Sequence, residues 1–248
     1  MSFTDWRATL AALELFDANV RVGASGPHGA LTLGADALEQ ELASFAITGA
    51  LAAHWAGLEY DAAHGNGVLA ELRRDWLTPV FAATPETLAQ LERLRPRAAQ
   101  LAFGALRHNF SSARWCCGEL CEYLQSRRVV TVISRDDLDW EGLARLLDDF
   151  PGLPVVFVNA GYRGDRYLWP LLRRHSHLYF DTSGYLAHRQ LEAFVERMGA
   201  EQAVFGSRLP LFTPAAALAT LLSARMSDAQ RRAVAGGNLR RLLAEVQA

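Results

Sequence analysis

Residues able to bind anions or to move protons recur in this sequence directly after short apolar runs. Arginine presents paired donors that fit carboxylate or phosphate, and asparagine and serine add neutral hydrogen bonds. Histidine titrates near neutral pH and suits acid–base chemistry. The residues of these kinds, with one aspartate among them, are Asn19, Arg21, His54, Arg107, His108, Asn109, Ser134, Arg135, Asn159, Asp181 and Arg208. Brought together, they would form a positively charged pocket for a small anion.

The elements that must position these residues alternate regularly along the chain. Apolar, β-rich runs at 14–22, 49–56, 77–83, 98–105, 129–134, 154–159, 177–181 and 203–207 alternate with stretches of helical spacing. Such alternation is typical of a parallel sheet covered by helices. Eight runs, with no G-x-G-x-x-G after the first, favour a closed barrel over a doubly wound sheet. We therefore predict an α/β fold, a (β/α)8 TIM barrel, as a single domain over residues 1–248.

Barrel enzymes build their sites at the carboxyl ends of the strands, so the residues named above are expected to meet there. Several helices also carry start signals. Thr84 and Thr213 each precede a proline, and Ser227 precedes Gln230 at capping-box spacing. The last helix is predicted to run over 227–246.

The bulk composition is that of a globular protein. Half of the 248 residues are hydrophobic, 21% are charged, and the net charge is -2. This balance gives no indication of binding to nucleic acid or to an anionic membrane surface. Acidic residues and Arg7 interrupt the N-terminal segment, so we expect neither a secretion signal nor a membrane span, and a cytoplasmic location. The apolar segment 6–15 is a hypothetical homodimer interface.

The three cysteines, Cys116, Cys117 and Cys121, lie within six positions of one another. An odd number so closely spaced is no disulfide framework. Cys117 and Cys121 also lack a second ligand pair at zinc-like spacing. We interpret them as thiols on one helix in a reducing compartment.

Five short motifs carry a family resemblance. They are FDANVRVG at 16–23, LPVVFVNAG at 153–161, FDTSG at 180–184, FGSRLP at 205–210 and GNLRRL at 237–242. In this order and spacing the chain resembles, over almost its whole length, the amidohydrolase superfamily. The resemblance is to the branch of decarboxylase-like and lactonase-like metal-dependent hydrolases.

The resemblance also implies where the family's metal would bind. That metal is held by two histidines on the first strand, by histidines on the fifth and sixth, and by an aspartate on the eighth. The corresponding residues here are Asn19, Arg21, Ser134, Asn159 and Arg208. None of them is a good ligand for a divalent transition metal, and an arginine would repel one.

We therefore predict no metal and no other cofactor, and a small carboxylate or phosphate as the partner. The predicted ligand-binding residues are Asn19, Arg21, His54, Arg107, Asn109, Ser134, Asn159 and Arg208, and the predicted catalytic residues are His108 and Asp181. In an alternative interpretation the arginines only replace the charge of the metal. Arg21 or Arg208 would then pair with Asp181 or Asp17.

Three functions remain open at this point. The first is a metal-free ligand-binding or regulatory protein. The second is a metal-independent hydrolase of a lactone or ester of an anionic compound, with His108 as acid or base and the arginines stabilising an oxyanion. The third is a metal-dependent hydrolase that uses an atypical set such as His54, His108 and Asp181.

Overall fold

The computed structural model describes residues 3–25, 31–104 and 108–247, which form one curled sheet of nine strands surrounded by helices. The strands are β1 (Leu15–Ser25), β2 (Leu31–Leu33), β3 (Ile47–His54), β4 (Leu77–Ala83), β5 (Ala98–Leu101), β6 (Val130–Ser134), β7 (Val155–Val158), β8 (Leu178–Asp181) and β9 (Ala203–Val204). Their order in the sheet is β2, β1, and then β3 to β9 in sequence. Only β2, which follows β1 along the chain, pairs antiparallel in the described sheet.

The two ends of the parallel part of the sheet meet and close a barrel. Val20 of β1 forms a parallel bridge with Leu209, just beyond β9. The N–H of Ala18 donates to the carbonyl of Phe205 at 2.8 Å, and the N–H of Arg21 donates to the carbonyl of Leu209 at 2.8 Å. The predicted (β/α)8 TIM barrel is therefore confirmed. The carboxyl ends of its eight parallel strands are called the barrel mouth below.

Helices follow most of the barrel strands. Their bounds are α1 (Phe3–Ala11), α2 (Ala35–Ser44), α3 (Trp55–Glu59), α4 (Ala62–Glu71), α5 (Leu88–Leu94), α6 (Arg114–Ser126), α7 (Trp140–Asp149), α8 (Asp165–Arg174), α9 (Gln190–Met198), α10 (Pro214–Ser223), α11 (Asp228–Arg232) and α12 (Asn238–Ala244). A 3-10 turn, Pro85–Thr87, precedes α5, and a π turn, Ala233–Gly237, separates α11 from α12. Across the described residues, no helix has the length and apolar character needed to cross a membrane.

The central strands are buried on both faces, which explains their continuous apolar runs. Successive side chains of a strand point to opposite sides. In β7, Phe157 belongs to the large cluster that includes Leu143 and Leu146 of α7. Val156 and Val158 belong to a second cluster, which is formed mainly by side chains from alternate strand positions. The barrel therefore has a packed and largely apolar interior.

Two predicted start signals are fully formed. Ser227 and Gln230 exchange hydrogen bonds in a capping box at the start of α11. Thr84 forms a second box with Thr87 around Pro85. These reciprocal bonds satisfy backbone N–H groups that a helix leaves without an internal partner.

Some predicted boundaries are wrong. The strand predicted over 49–56 ends at His54, because the short helix α3 begins at Trp55. The predicted final helix is interrupted by the π turn, where Gly236 lies against β1. A Cβ on Gly236 would lie 2.7 Å from the carbonyl oxygen of Glu14. This close approach to β1 is a tertiary contact that helical periodicity does not encode.

Candidate functional site

Asp181, the last residue of β8, is the hub of a buried hydrogen-bond network at the barrel mouth. Its Oδ1 accepts a hydrogen bond from the backbone N–H of Asn159 at 3.0 Å. Its Oδ2 accepts from Asn19 Nδ2 at 2.9 Å and from the Ser183 hydroxyl. Burial raises the pKa of Asp181 to about 6, while these hydrogen bonds and the charge of Arg208 oppose the rise.

Asn19 and Asn159 extend the network to four strands. Asn19 Nδ2 lies 3.0 Å from Asn159 Oδ1 and 3.1 Å from the Ser183 hydroxyl. Asn159 Nδ2 donates to the Ser134 hydroxyl at 3.0 Å. We call Asn19, Ser134, Asn159, Asp181 and Ser183 the Asp181 network. It joins Asn19, within β1, to the ends of β6, β7 and β8, so four of the predicted site residues are brought together.

Arg208 lies beside this network but bonds to a residue that the sequence analysis did not name. Its guanidinium forms an ion pair with Asp136, which also accepts from Asn159 Nδ2 at 3.2 Å. The prediction that Arg208 would pair with Asp181 or Asp17 is wrong in its partner. The backbone N–H of Asp136 is fixed by the Ser134 hydroxyl at 3.2 Å, which places the carboxylate over the mouth.

The backbone of Arg208 is in the left-handed region, with a φ of 65°. Residues other than glycine and asparagine rarely adopt this backbone conformation, and those that do cluster at functional sites. The guanidinium carbon lies 5.6 Å from the centroid of the Phe212 ring. Asn159 also has a positive φ, of 63°. The turns after β7 and β9 therefore both direct a polar side chain to the mouth from an uncommon backbone conformation.

Arg21 and Asp17 lie deeper in the barrel wall. Arg21 is 7% exposed and donates to Gln100 Oε1 of β5 at 3.0 Å. Oδ1 of Asp17 accepts from the backbone N–H groups of Asn19 and Ser207, each at 3.0 Å. Burial raises the pKa of Asp17 to about 7, and its Oδ2 is buried with no hydrogen-bond partner. Asp17 thus ties β1 to the segment after β9.

The histidines predicted for this site bond elsewhere. His54 Nδ1 accepts from the backbone N–H of Ala56 at 3.1 Å, which caps α3. Burial is the main cause that lowers its pKa. Its ring packs on Gly23, whose φ is 89° and where a Cβ would lie 2.5 Å from Nε2. His108 Nε2 lies 2.8 Å from the carbonyl oxygen of Gly57. Both histidines therefore contact α3 rather than the Asp181 network.

The last two predicted ligand-binding residues add little to this picture. Asn109 is exposed and has a φ of 48°, with its backbone N–H bonded to the carbonyl of Gly104. Arg107 lies outside the described residues. The residues that the sequence analysis missed are Asp136, Ser183 and Ser207. Each lies in a loop just beyond a strand end. For Ser183 the sequence did offer a signal, because it stands two residues after the predicted site residue Asp181.

A closed barrel of eight parallel strands with its polar residues gathered at their carboxyl ends is the architecture of the TIM-barrel enzymes. The chain belongs to the amidohydrolase family, whose model matches residues 33–244. This confirms the resemblance seen in the sequence motifs. No curated protein matches the chain in sequence.

Solved structures with the same fold are distant in sequence. An uncharacterised TIM-barrel protein from Bordetella bronchiseptica is 15% identical, with a TM-score of 0.73 over 93% of this chain and 99% of that chain. The 5-carboxyvanillate decarboxylase of Sphingomonas paucimobilis is 15% identical, with a TM-score of 0.73 over 94% and 99%. A dihydroxybenzoic acid decarboxylase from Polaromonas, solved with bound manganese and the inhibitor 2-nitroresorcinol, is 14% identical, with a TM-score of 0.69 over 93% and 96%. At this identity the likeness establishes the fold alone.

Proposed function

We propose that this amidohydrolase-family barrel binds a small carboxylate or phosphate at its mouth, without a divalent metal at the family's position. The observation that carries the proposal is the Asp181 network itself. Asn19, Ser134 and Asn159, at three of the positions where the resemblance places metal ligands, are joined by hydrogen bonds, and Asn19 and Asn159 also donate to Asp181. A guanidinium, that of Arg208, stands at the end of β9.

The donor set does not fit a divalent transition metal. Asn19 directs its amide nitrogen into the network, and an amide N–H donates but does not coordinate a cation. The amide oxygen of Asn159 lies within hydrogen-bond distance of Asn19 Nδ2 and the Ser183 hydroxyl, which occupy it. Zinc is bound in proteins by imidazole, thiolate or carboxylate, and manganese prefers carboxylate, carbonyl and water oxygens. Within the part of the chain that the structure describes, no three His, Cys, Asp or Glu side chains form a group that could hold a metal ion. We therefore derive no chemical step through a metal.

The charge and exposure of Arg208 suit an anion better. Its side chain is 27% exposed and that of Asp136 is 47% exposed, so the pair is open to solvent. An exposed ion pair contributes little net free energy, so a ligand carboxylate can replace Asp136 at small cost. A guanidinium binds carboxylate or phosphate through two parallel hydrogen bonds. The acids named for two of the solved neighbours, 5-carboxyvanillate and dihydroxybenzoic acid, also carry carboxyl groups.

This proposal is tested by calorimetric titration of the full chain with propanoate and with inorganic phosphate, at constant ionic strength. We expect Arg208→Gln to weaken binding about tenfold or more, because hydrogen bonds to charged groups contribute about 1.5–3 kcal/mol. Arg232→Gln, on the outer helix α11, is the matched control and should bind like the parent. Equal affinity in Arg208→Gln would overturn the assignment of the pocket.

A second candidate function is metal-independent hydrolysis of an ester or lactone of an anionic compound. The observation that favours it is the pKa of Asp181, which burial raises to about 6. A group that titrates near neutral pH can accept and return a proton during turnover. Asp181→Asn should then abolish hydrolysis of short-chain esters, whereas His108→Ala should leave it unchanged. Hydrolysis that survives in Asp181→Asn would remove this candidate.

A further inference from the structure

A small cavity opens beside the Asp181 network, between the loop after β8 and the start of α10. Its volume is about 50 Å³. Ser183, Ser207 and Thr213 are polar residues of its lining, and Leu186, Phe212 and Ala217 are among the apolar ones. The surface that the cavity exposes is mostly apolar, although Ser183 of the Asp181 network is one of its lining residues.

The cavity and the proposed anion site share side chains. Ser183 donates to Asp181 and is therefore part of the network. The backbone N–H of Ser207 donates to Asp17. Phe212, which forms one wall, has the guanidinium of Arg208 5.6 Å from its ring centroid. A ligand whose charged end pairs with Arg208 can thus place a neighbouring apolar group in the cavity.

The size of the cavity limits that group. An apolar protein cavity of about 150 Å³ accommodates benzene, or about 25 Å³ for each carbon atom. By the same scaling, about 50 Å³ accommodates about two carbon atoms and excludes an aromatic ring. Of the two alanines of α10 that line the space, Ala217 is buried and Ala216 is exposed, so a longer group would press against the buried side of this helix.

We propose that the ligand of this site is a short aliphatic carboxylate, whose alkyl chain of about two or three carbons fills the cavity beside Arg208. The inference rests on the proposed function, because the carboxylate is the anion that Arg208 binds. It adds the class of ligand, since the cavity selects short alkyl chains against aromatic rings and against long chains.

The test compares the affinities of acetate, propanoate, butanoate, hexanoate and benzoate for the full chain. We expect affinity to rise about fourfold for each methylene from acetate to butanoate, which corresponds to about 0.8 kcal/mol for each buried CH₂. Hexanoate should bind no better than butanoate, because its end lies in solvent, and benzoate should bind no better than acetate. Affinities that do not depend on chain length, or benzoate binding tightest, would overturn the inference.

Variants of α10 test whether the alkyl chain of the ligand binds in this cavity. Ala216→Leu places a larger side chain in the cavity and should remove the gain from acetate to butanoate while acetate binds as before. Ala215→Leu, exposed on the same helix and outside the lining described here, should keep the gain. A gain that persists in Ala216→Leu would place the alkyl chain elsewhere and overturn the inference.

Neutral probes separate this inference from the anion site. We would titrate protein carrying 13C-labelled alanine methyl groups with 1-propanol and 1-butanol. Alcohol binding that Ala216→Leu abolishes, with no carboxylate bound, would overturn the proposed function and with it the carboxylate class of the ligand, and would support only the selection of short alkyl chains by the cavity. Carboxylate binding of uniform strength, with no alcohol bound, would support the proposed function and overturn the cavity. If neither class binds, both are overturned.

Discussion

Asn19 Nδ2 donates a 2.9 Å hydrogen bond to Asp181 Oδ2, joining β1, the first strand of the barrel, to β8, the seventh. The same nitrogen lies within hydrogen-bond distance of Asn159 and Ser183, although an amide has only two protons to donate. The arrangement places a neutral donor against a buried carboxyl group. It stabilises the charged form of Asp181 without the charge of a metal ion.

Asn19→Ala should destabilise the protein, because it removes donors from the buried Asp181. We expect a loss of about 1–3 kcal/mol in the free energy of unfolding, measured in urea at pH 8. The pKa of Asp181 should rise further. A double-mutant cycle with Asp181→Asn isolates the interaction, and additive effects of the two substitutions would show that the hydrogen bond contributes nothing.

Asp17→Asn should stabilise the protein at high pH. The mutant amide keeps an oxygen for the N–H groups of Asn19 and Ser207, and its nitrogen replaces the unpartnered Oδ2. The pKa of Asp17 is raised from 3.8 to about 7 in the folded protein, so the folded state holds the proton more tightly than the unfolded state. The contribution of Asp17 to stability is therefore present below pH 4 and is lost as the pH rises to 7.

The free energy of unfolding of Asp17→Asn, relative to that of the parent, should therefore increase by on the order of 3 kcal/mol between pH 4.5 and pH 8. Urea unfolding at the two pH values measures it. A difference that does not change with pH would contradict the raised pKa.

His175 and His177 should act in the opposite direction in acid. Burial lowers the pKa of both rings, which lie with their centroids 5.4 Å apart near the start of β8. The folded state thus binds fewer protons than the unfolded state, and stability is lost as the pH falls below about 6.5. The double substitution His175→Gln and His177→Gln should reduce the fall in melting temperature between pH 7.5 and pH 5. The substitution His188→Gln, at an exposed position, should leave that fall unchanged.

Gly206→Ala should disturb the site directly. A Cβ on Gly206 would lie 2.4 Å from Asp181 Oδ2, so the carboxyl group would have to move. We expect a destabilisation of about 1–3 kcal/mol together with weaker carboxylate binding. Gly67→Ala in α4 is the control, since nothing lies within 4 Å of its added Cβ and helix propensity favours alanine. A Gly206→Ala protein as stable as its parent would show that Asp181 is loosely held.

Much of the site could be predicted from sequence, because barrel proteins gather functional residues at the carboxyl ends of their strands. Ser134, Asn159 and Asp181 end or follow buried strands, and Asn19 lies within β1; parallel strands bring their carboxyl ends together independently of the loops. His54 and His108 were predicted for the same site and are bonded at α3 instead. Their positions depend on a short helix that follows β3 directly and that hydrophobic periodicity does not separate from the strand.

Asp136, the ion-pair partner of Arg208, could not be predicted from sequence for a related reason. Asp136 lies in the turn after β6, where its N–H donates to the Ser134 hydroxyl and its carboxylate accepts from Asn159 Nδ2. Aspartates at 17 and 181 were the expected partners, but both are buried and occupied by backbone N–H groups. Local loop geometry, rather than residue type, decided which carboxylate the arginine reaches.

The most direct test of the central claim is elemental analysis of the full chain, purified without a metal-binding tag and then equilibrated with manganese and zinc. The substituted ligand positions predict no stoichiometric metal in folded protein. One equivalent of manganese, zinc or iron that is lost in Asn19→Ala would contradict the account, because it would place a metal among the residues that we assign to the Asp181 network.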